Sequence, residues 1–162
     1  MATIKLLNSD FEENDYKLIA IHCPLEPYRL AFFMNKKLQV NFKRSKFDLN
    51  VYSKKSDSQY VRFEFEDKNN TIFWNLIENK NQDVASSKSA SYDLFSSASI
   101  SFPKISYLIP ELKKVDYFIK IDFEEQEINT GLIIQNIKNS EFITTVYEID
   151  VNKIKSKNNL IF

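Results

Sequence analysis

Glycine is nearly missing from this chain: Gly131 stands alone among 162 residues. Loops that cradle phosphate need several glycines, because the backbone must approach the anion closely and take positive φ. A P-loop and a dinucleotide fingerprint are therefore excluded, and turns must rely on Asn, Asp, Ser and Pro. Cysteine and histidine are equally scarce, with one of each. Cys23 has no partner for an internal disulfide, which fits a reducing compartment. A closed zinc site of Cys and His needs four ligands, more than the chain holds. His22 and Cys23 adjoin, but on a strand neighbours face opposite sides, so they form no nucleophile–base dyad. Net charge is missing too, with 22 Lys and Arg against 22 Asp and Glu. No global field then draws the chain to nucleic acid or to an anionic membrane. No apolar run reaches bilayer length, and the first residues lack the basic-then-apolar pattern of a signal peptide. The expectation is a cytoplasmic protein with no membrane partner, no metal, no cofactor and no catalytic constellation.

What is present argues for a folded core. Hydrophobic residues make up 43% of the chain, and Phe and Tyr together supply 22 of them. That content suits one domain over 1–162, large enough to bury a core without disulfides or metals. Strands are expected at 3–7, 16–22 and 41–50. Pro27 opens a helix over 26–38, with Leu30, Phe33, Met34 and Leu38 on one stripe and Tyr28, Ala31 and Phe32 flanking it. Lys36 and Lys37 suit its negative end. Residues 51–58 read as a loop. Residues 59–67 and 71–79 alternate and form a hairpin about Asp67-Lys68-Asn69-Asn70, with Val61, Phe63, Phe65, Ile72, Trp74 and Leu76 inward. Residues 80–91 are Ser-, Asn- and Lys-rich and read as a flexible loop. Residues 92–103 fit no one template.

Strands at 106–109 and 117–122 flank a proline turn. A helix over 124–138 follows, with Thr130, Ile133, Ile134 and Ile137 on its stripe and the acidic run 122–127 in its first turns. A strand over 132–137 is the alternative there. A strand at 142–150 leads to Asp150, which caps a turn of helix over 151–155. This order predicts an α+β two-layer sandwich: a mostly antiparallel sheet with two main helices on one face.

Three groups of residues invite functional readings. Glu111 and Asp116 are a candidate carboxylate pair, against a structural reading in which Pro110 starts a turn, Glu111 sits at its positive end, Asp116 accepts backbone N–H groups and Tyr117 packs. Lys36, Lys37, Lys43, Arg44 and Lys46, interleaved with Phe42 and Phe47, form a basic patch suited to RNA, against a solvated edge. Tyr60, Tyr92 and the tail at 160–162 are candidate interface anchors, against ordinary packing.

Ile109-Pro110-Glu111-Leu112-Lys113-Lys114-Val115-Asp116-Tyr117 resembles the signature of the IPExxDY family, small proteins of Bacteroidetes. Four residues separate Glu111 from Asp116 here, where the family label implies two. Pro24, Tyr28-Arg29-Leu30 and Asn35-Lys36, and the hairpin ending near Asn79, resemble the rest of that family. The resemblance implies a cytoplasmic bacterial protein and carries no activity. Together these features favour a non-enzymatic protein–protein interaction module, with an RNA-binding module at residues 36–46 as the alternative.

Overall fold

The computed structural model describes residues 16–52, 57–83, 104–124 and 127–162. The strand expected at 3–7, the segment 92–103 with Tyr92, and the loop residues 84–91 lie outside them. The elements run β1 (Tyr16–His22), α1 (Pro27–Leu38), β2 (Lys43–Arg44), β3 (Leu49–Tyr52), β4 (Asp57–Tyr60), β5 (Arg62–Asp67) and β6 (Ile72–Glu78). They continue with β7 (Lys80–Asp83), β8 (Lys104–Tyr107), β9 (Tyr117–Phe123), α2 (Thr130–Lys138) and β10 (Thr145–Ile149). Six strands form one antiparallel sheet in the order β10-β1-β9-β6-β5-β2. The pairs β3–β4 and β7–β8 stand as separate two-stranded sheets. This is the α+β architecture expected from the element order.

The sheet is buried on both faces at its centre. Leu18 to Ile21 of β1 are all buried, as are Tyr117 to Ile121 of β9. One face carries Ile19, Ile21, Leu76, Ile119 and Ile121, and both helices cover it through Leu30, Met34 and Ile137. Fully burying a side chain such as Leu30 or Met34 stabilises the fold by about 1.5–3 kcal/mol. The opposite face carries Leu18, Ala20, Ile77 and Phe118. Irregular segments cover that side: Leu108, Ile109 and Val115 from the proline turn, and Val151, Ile154 and Leu160 from the chain's last turns.

Several local expectations shift once strand pairing is taken into account. The run 59–67 breaks at Val61, so Tyr60 belongs to the β3–β4 hairpin and is only 2% exposed. It packs in the second core and is no interface anchor. Val51, Tyr52, Asp57 and Ser58, read as loop, are paired strand. Lys80 to Asp83, read as flexible, form β7 against β8. The second helix is shorter than 124–138. Asp122 and Phe123 stay in β9, where they oppose Tyr16 and Ile72, and Asn129 then caps α2 by accepting the Leu132 N–H. The acidic run therefore supplies no residue to the helix's first turn. β9 and β10 both run antiparallel to β1, which lies between them, so α2 links two parallel strands that are not neighbours. Turns without glycine leave a mark: Gln39 and Thr71 take the left-handed region, at φ 54° and 52°.

Candidate functional site

The signature stretch is a knot of satisfied polar groups. Pro110, Glu111 and Leu112 form one 3-10 turn after Ile109. Ile109 and Tyr117 are both buried. The Glu111 carboxylate accepts the Lys155 and Ser156 N–H groups, each at 2.9 Å, and the Ser156 hydroxyl. It therefore pins the chain's last turns to the proline turn, across 44 residues of sequence. Partial burial pushes the Glu111 carboxyl up, but hydrogen bonds from its own N–H, the Ser156 hydroxyl and the two amides outweigh this and hold it below its ordinary value. Asp116 looks elsewhere. It accepts the Cys23 N–H at 3.0 Å and pairs with the Lys80 ammonium. The two carboxylates thus serve different partners, and no shared acid–base pair forms.

Asn79 organises this stretch, and nothing in its local sequence marks it. Its side-chain amide donates to the Leu112 and Val115 carbonyls, each at 2.9 Å. Its side-chain oxygen accepts the Ile109 N–H at 3.0 Å. Its backbone accepts from Leu108 and donates to the Asp116 carbonyl. The residue is 0% exposed, so each of these bonds replaces water it cannot reach. Position 79 lies between β6 and β7, and its side-chain partners lie 30 to 36 residues away.

Beside Asp116 lies a small polar pocket of about 220 Å3, lined in part by Glu26, Glu78, Lys80 and Tyr117. Burial lifts the Glu78 carboxyl to about 7; Glu26, Asp116 and Asp48 add to the rise and Lys80 opposes it. Burial likewise lifts the Tyr117 phenol, whose hydroxyl donates to the Leu25 carbonyl. Burial also raises the Cys23 thiol, against the Leu25 N–H and with help from Asp116. A thiol held protonated is a poor nucleophile. Among the described residues, no group of three or more Cys, His, Asp or Glu is placed to hold a metal ion.

Folding takes one aromatic, Phe42, out of the basic patch. Phe42 is 5% exposed, edge-on to Trp74, with its backbone clasped by the Asn35 amide. It cannot stack a base. Arg44 pairs with Asp48 and donates to the Arg62 carbonyl at 3.1 Å. Lys36 and Lys37 lie over the rings of Phe32 and Phe33. Lys43 and Lys46 are exposed, as is Phe47. The tail divides: Leu160 is buried, Ile161 is exposed, and Phe162 lies near Arg62 and Lys120.

An apolar opening lies on the outer side of α1. A groove of about 600 Å3 runs between the helix and Phe142. Tyr28 and Phe32 stand in it at 65% and 62% exposure. Phe33 meets Phe142 edge-to-face at 6.0 Å. Tyr28 and Phe32 lie about 200° around the helix from Leu30 and Met34. The core stripe therefore does not need them. That surplus of aromatics on the far side of a surface helix is the signal in the sequence, and Tyr28 and Phe32 do not flank the core but face solvent. Arg29 and Lys36 complete the lining. Among the described residues, neither forms a salt bridge. No helix among the described residues is long and apolar enough to cross a membrane. No protein-family model and no curated protein matches the chain.

Proposed function

We propose that this chain is a non-enzymatic protein–protein interaction module that docks a partner on the outer face of α1. The observation that carries this reading is the pair Tyr28 and Phe32, exposed side by side in a groove with Phe142. Such rings offer large contact area at small entropic cost and are frequent interface anchors. The carboxylates that invited a catalytic reading are engaged in structure: Glu111 with Ser156, Asp116 with Lys80 and Cys23. A buried lone cysteine accords with a cytoplasmic setting. The signature resemblance to the IPExxDY family accords with a bacterial one. For the RNA alternative, Phe42 is buried and Arg44 is paired with Asp48, which leaves Phe47 as its exposed aromatic.

The test is site-directed photo-crosslinking with the full chain in its host cell. A photoreactive residue at position 32 is expected to give discrete protein adducts that Tyr28→Asp abolishes. The same residue at position 47, exposed but away from the groove, serves as control. Adducts at 32 no stronger than those at 47 overturn the reading.

A further inference from the structure

The groove's chemistry narrows what fills it. Among the described residues its charged groups are Arg29 and Lys36, both cationic, and no carboxylate lines it. They are seven residues apart on α1, so they stand about 10 Å apart along one face. The Lys36 ammonium lies 4.5 Å from the centre of the Phe32 ring, which holds one charge at the groove's edge. An occupant with two carboxylates at matching distance would meet both cations while its apolar side covered the rings.

The backbone bears on the occupant's conformation. A peptide that binds as a β-strand needs main-chain partners, as it finds at a sheet edge. This groove is walled by side chains of a helix, and Leu25 at its end has both backbone groups in use. Its N–H contacts the Cys23 sulfur at 3.4 Å and its carbonyl accepts from Tyr117. A helix satisfies its own backbone and presents only side chains. From Tyr28 to Lys36 the helical part of the wall is about 12 Å long, or two to three helical turns, and Leu25 extends it past the start of α1.

Resting on the interaction reading above, we infer that the groove receives an amphipathic helix of about three turns, with an apolar face flanked by two carboxylates about two turns apart. A second copy of the chain is a poorer occupant, because two α1 faces would set Arg29 and Lys36 against their own kind. Single-stranded nucleic acid is poorer too. It needs a continuous cationic track, and the chain's charges balance.

The experiment is selection of a displayed library of helical peptides against the full chain, followed by titration of the best synthetic peptide. Enriched peptides are expected to carry apolar residues at i, i+3 or i+4, and i+7, with Asp or Glu seven positions apart. Arg29→Glu with Lys36→Glu is expected to weaken binding about ten-fold and to increase its affinity for a peptide whose acids are replaced by Lys. Phe32→Asp is expected to abolish binding, with an unchanged melting temperature certifying the fold. No enrichment, enrichment of uncharged peptides, or binding indifferent to the two charge reversals overturns the inference. So does tighter binding of a uridine oligonucleotide in the groove, or self-association that Phe32→Asp removes. If position 32 still crosslinks while acidic helices fail, the partner class is wrong and the interaction reading survives.

Discussion

The proline turn and the outer face of α1 are built on opposite principles. Around the turn, Asn79 and Glu111 together engage two carbonyls, three backbone amides and one hydroxyl, drawn from segments far apart in sequence. On α1, two large rings face solvent and two cations have no carboxylate partner among the described residues. The stretch with the most distinctive sequence is thus spent on holding the fold. The outer face of α1 instead leaves Tyr28 and Phe32 in solvent. A motif can be specified by architecture alone when each of its polar groups must find a partner away from water.

Asn79→Ala is the strongest way to break that contrast. It leaves the Ile109 N–H and two carbonyls without their partner in a dry site, which is expected to cost about 3–5 kcal/mol in urea unfolding. A loss below about 1 kcal/mol would mean the turn does not depend on this clip.

Glu78→Gln comes next and is read through pH. The folded-state carboxyl sits near 7, above its unfolded value of 4.5. Its contribution is therefore complete below 4.5 and is lost as pH rises through about 7. The variant is expected to match the parent at pH 5 and to exceed it by about 1–2 kcal/mol at pH 8, allowing for partial solvent screening. Equal pH profiles in thermal melts would place Glu78 in contact with water.

Glu111→Gln is expected to cost about 1 kcal/mol at neutral pH, through weakened bonds to the Lys155 and Ser156 amides. The sign is reversed relative to Glu78. A lowered carboxyl contributes above its unfolded value of 4.5, and that contribution disappears as pH falls through the folded value below it. The two proteins should then converge in strong acid. Smallest of all, Phe32→Asp and Tyr28→Ser are expected to move stability by no more than about 0.5 kcal/mol, since both side chains are mostly in solvent. A larger change in urea titration would show that the α1 face is also part of the core, and would erase the comparison.

Much of the architecture can be read from neighbouring residues. Pro27 and the Leu30–Met34 spacing announce α1, and the helix runs Pro27–Leu38. Alternation announces the β5–β6 hairpin, and the Asp67 carboxylate closes its turn on Asn69 and Asn70. Asp150 caps the short turn after β10 as its position suggests. The misreadings share one cause. Tyr60, Phe42 and the residues after Asp122 were judged by local pattern, while hairpin assignment, the Asn35 clasp and the β9 ladder decided their places. The functional candidates divide likewise. Pro110, Glu111 and Asp116 were visible as a unit, but the carboxylates' partners were not, because Ser156 and Lys80 reach them only through tertiary packing.

The sequence by itself therefore determined α1, the central strands and the β5–β6 hairpin, since these follow from residue type and short-range period. Tertiary structure alone decided which polar groups are satisfied and which aromatic face stays open. Those properties depend on residues 30 to 45 positions apart meeting, and at Asn79 the meeting place is one that water cannot reach.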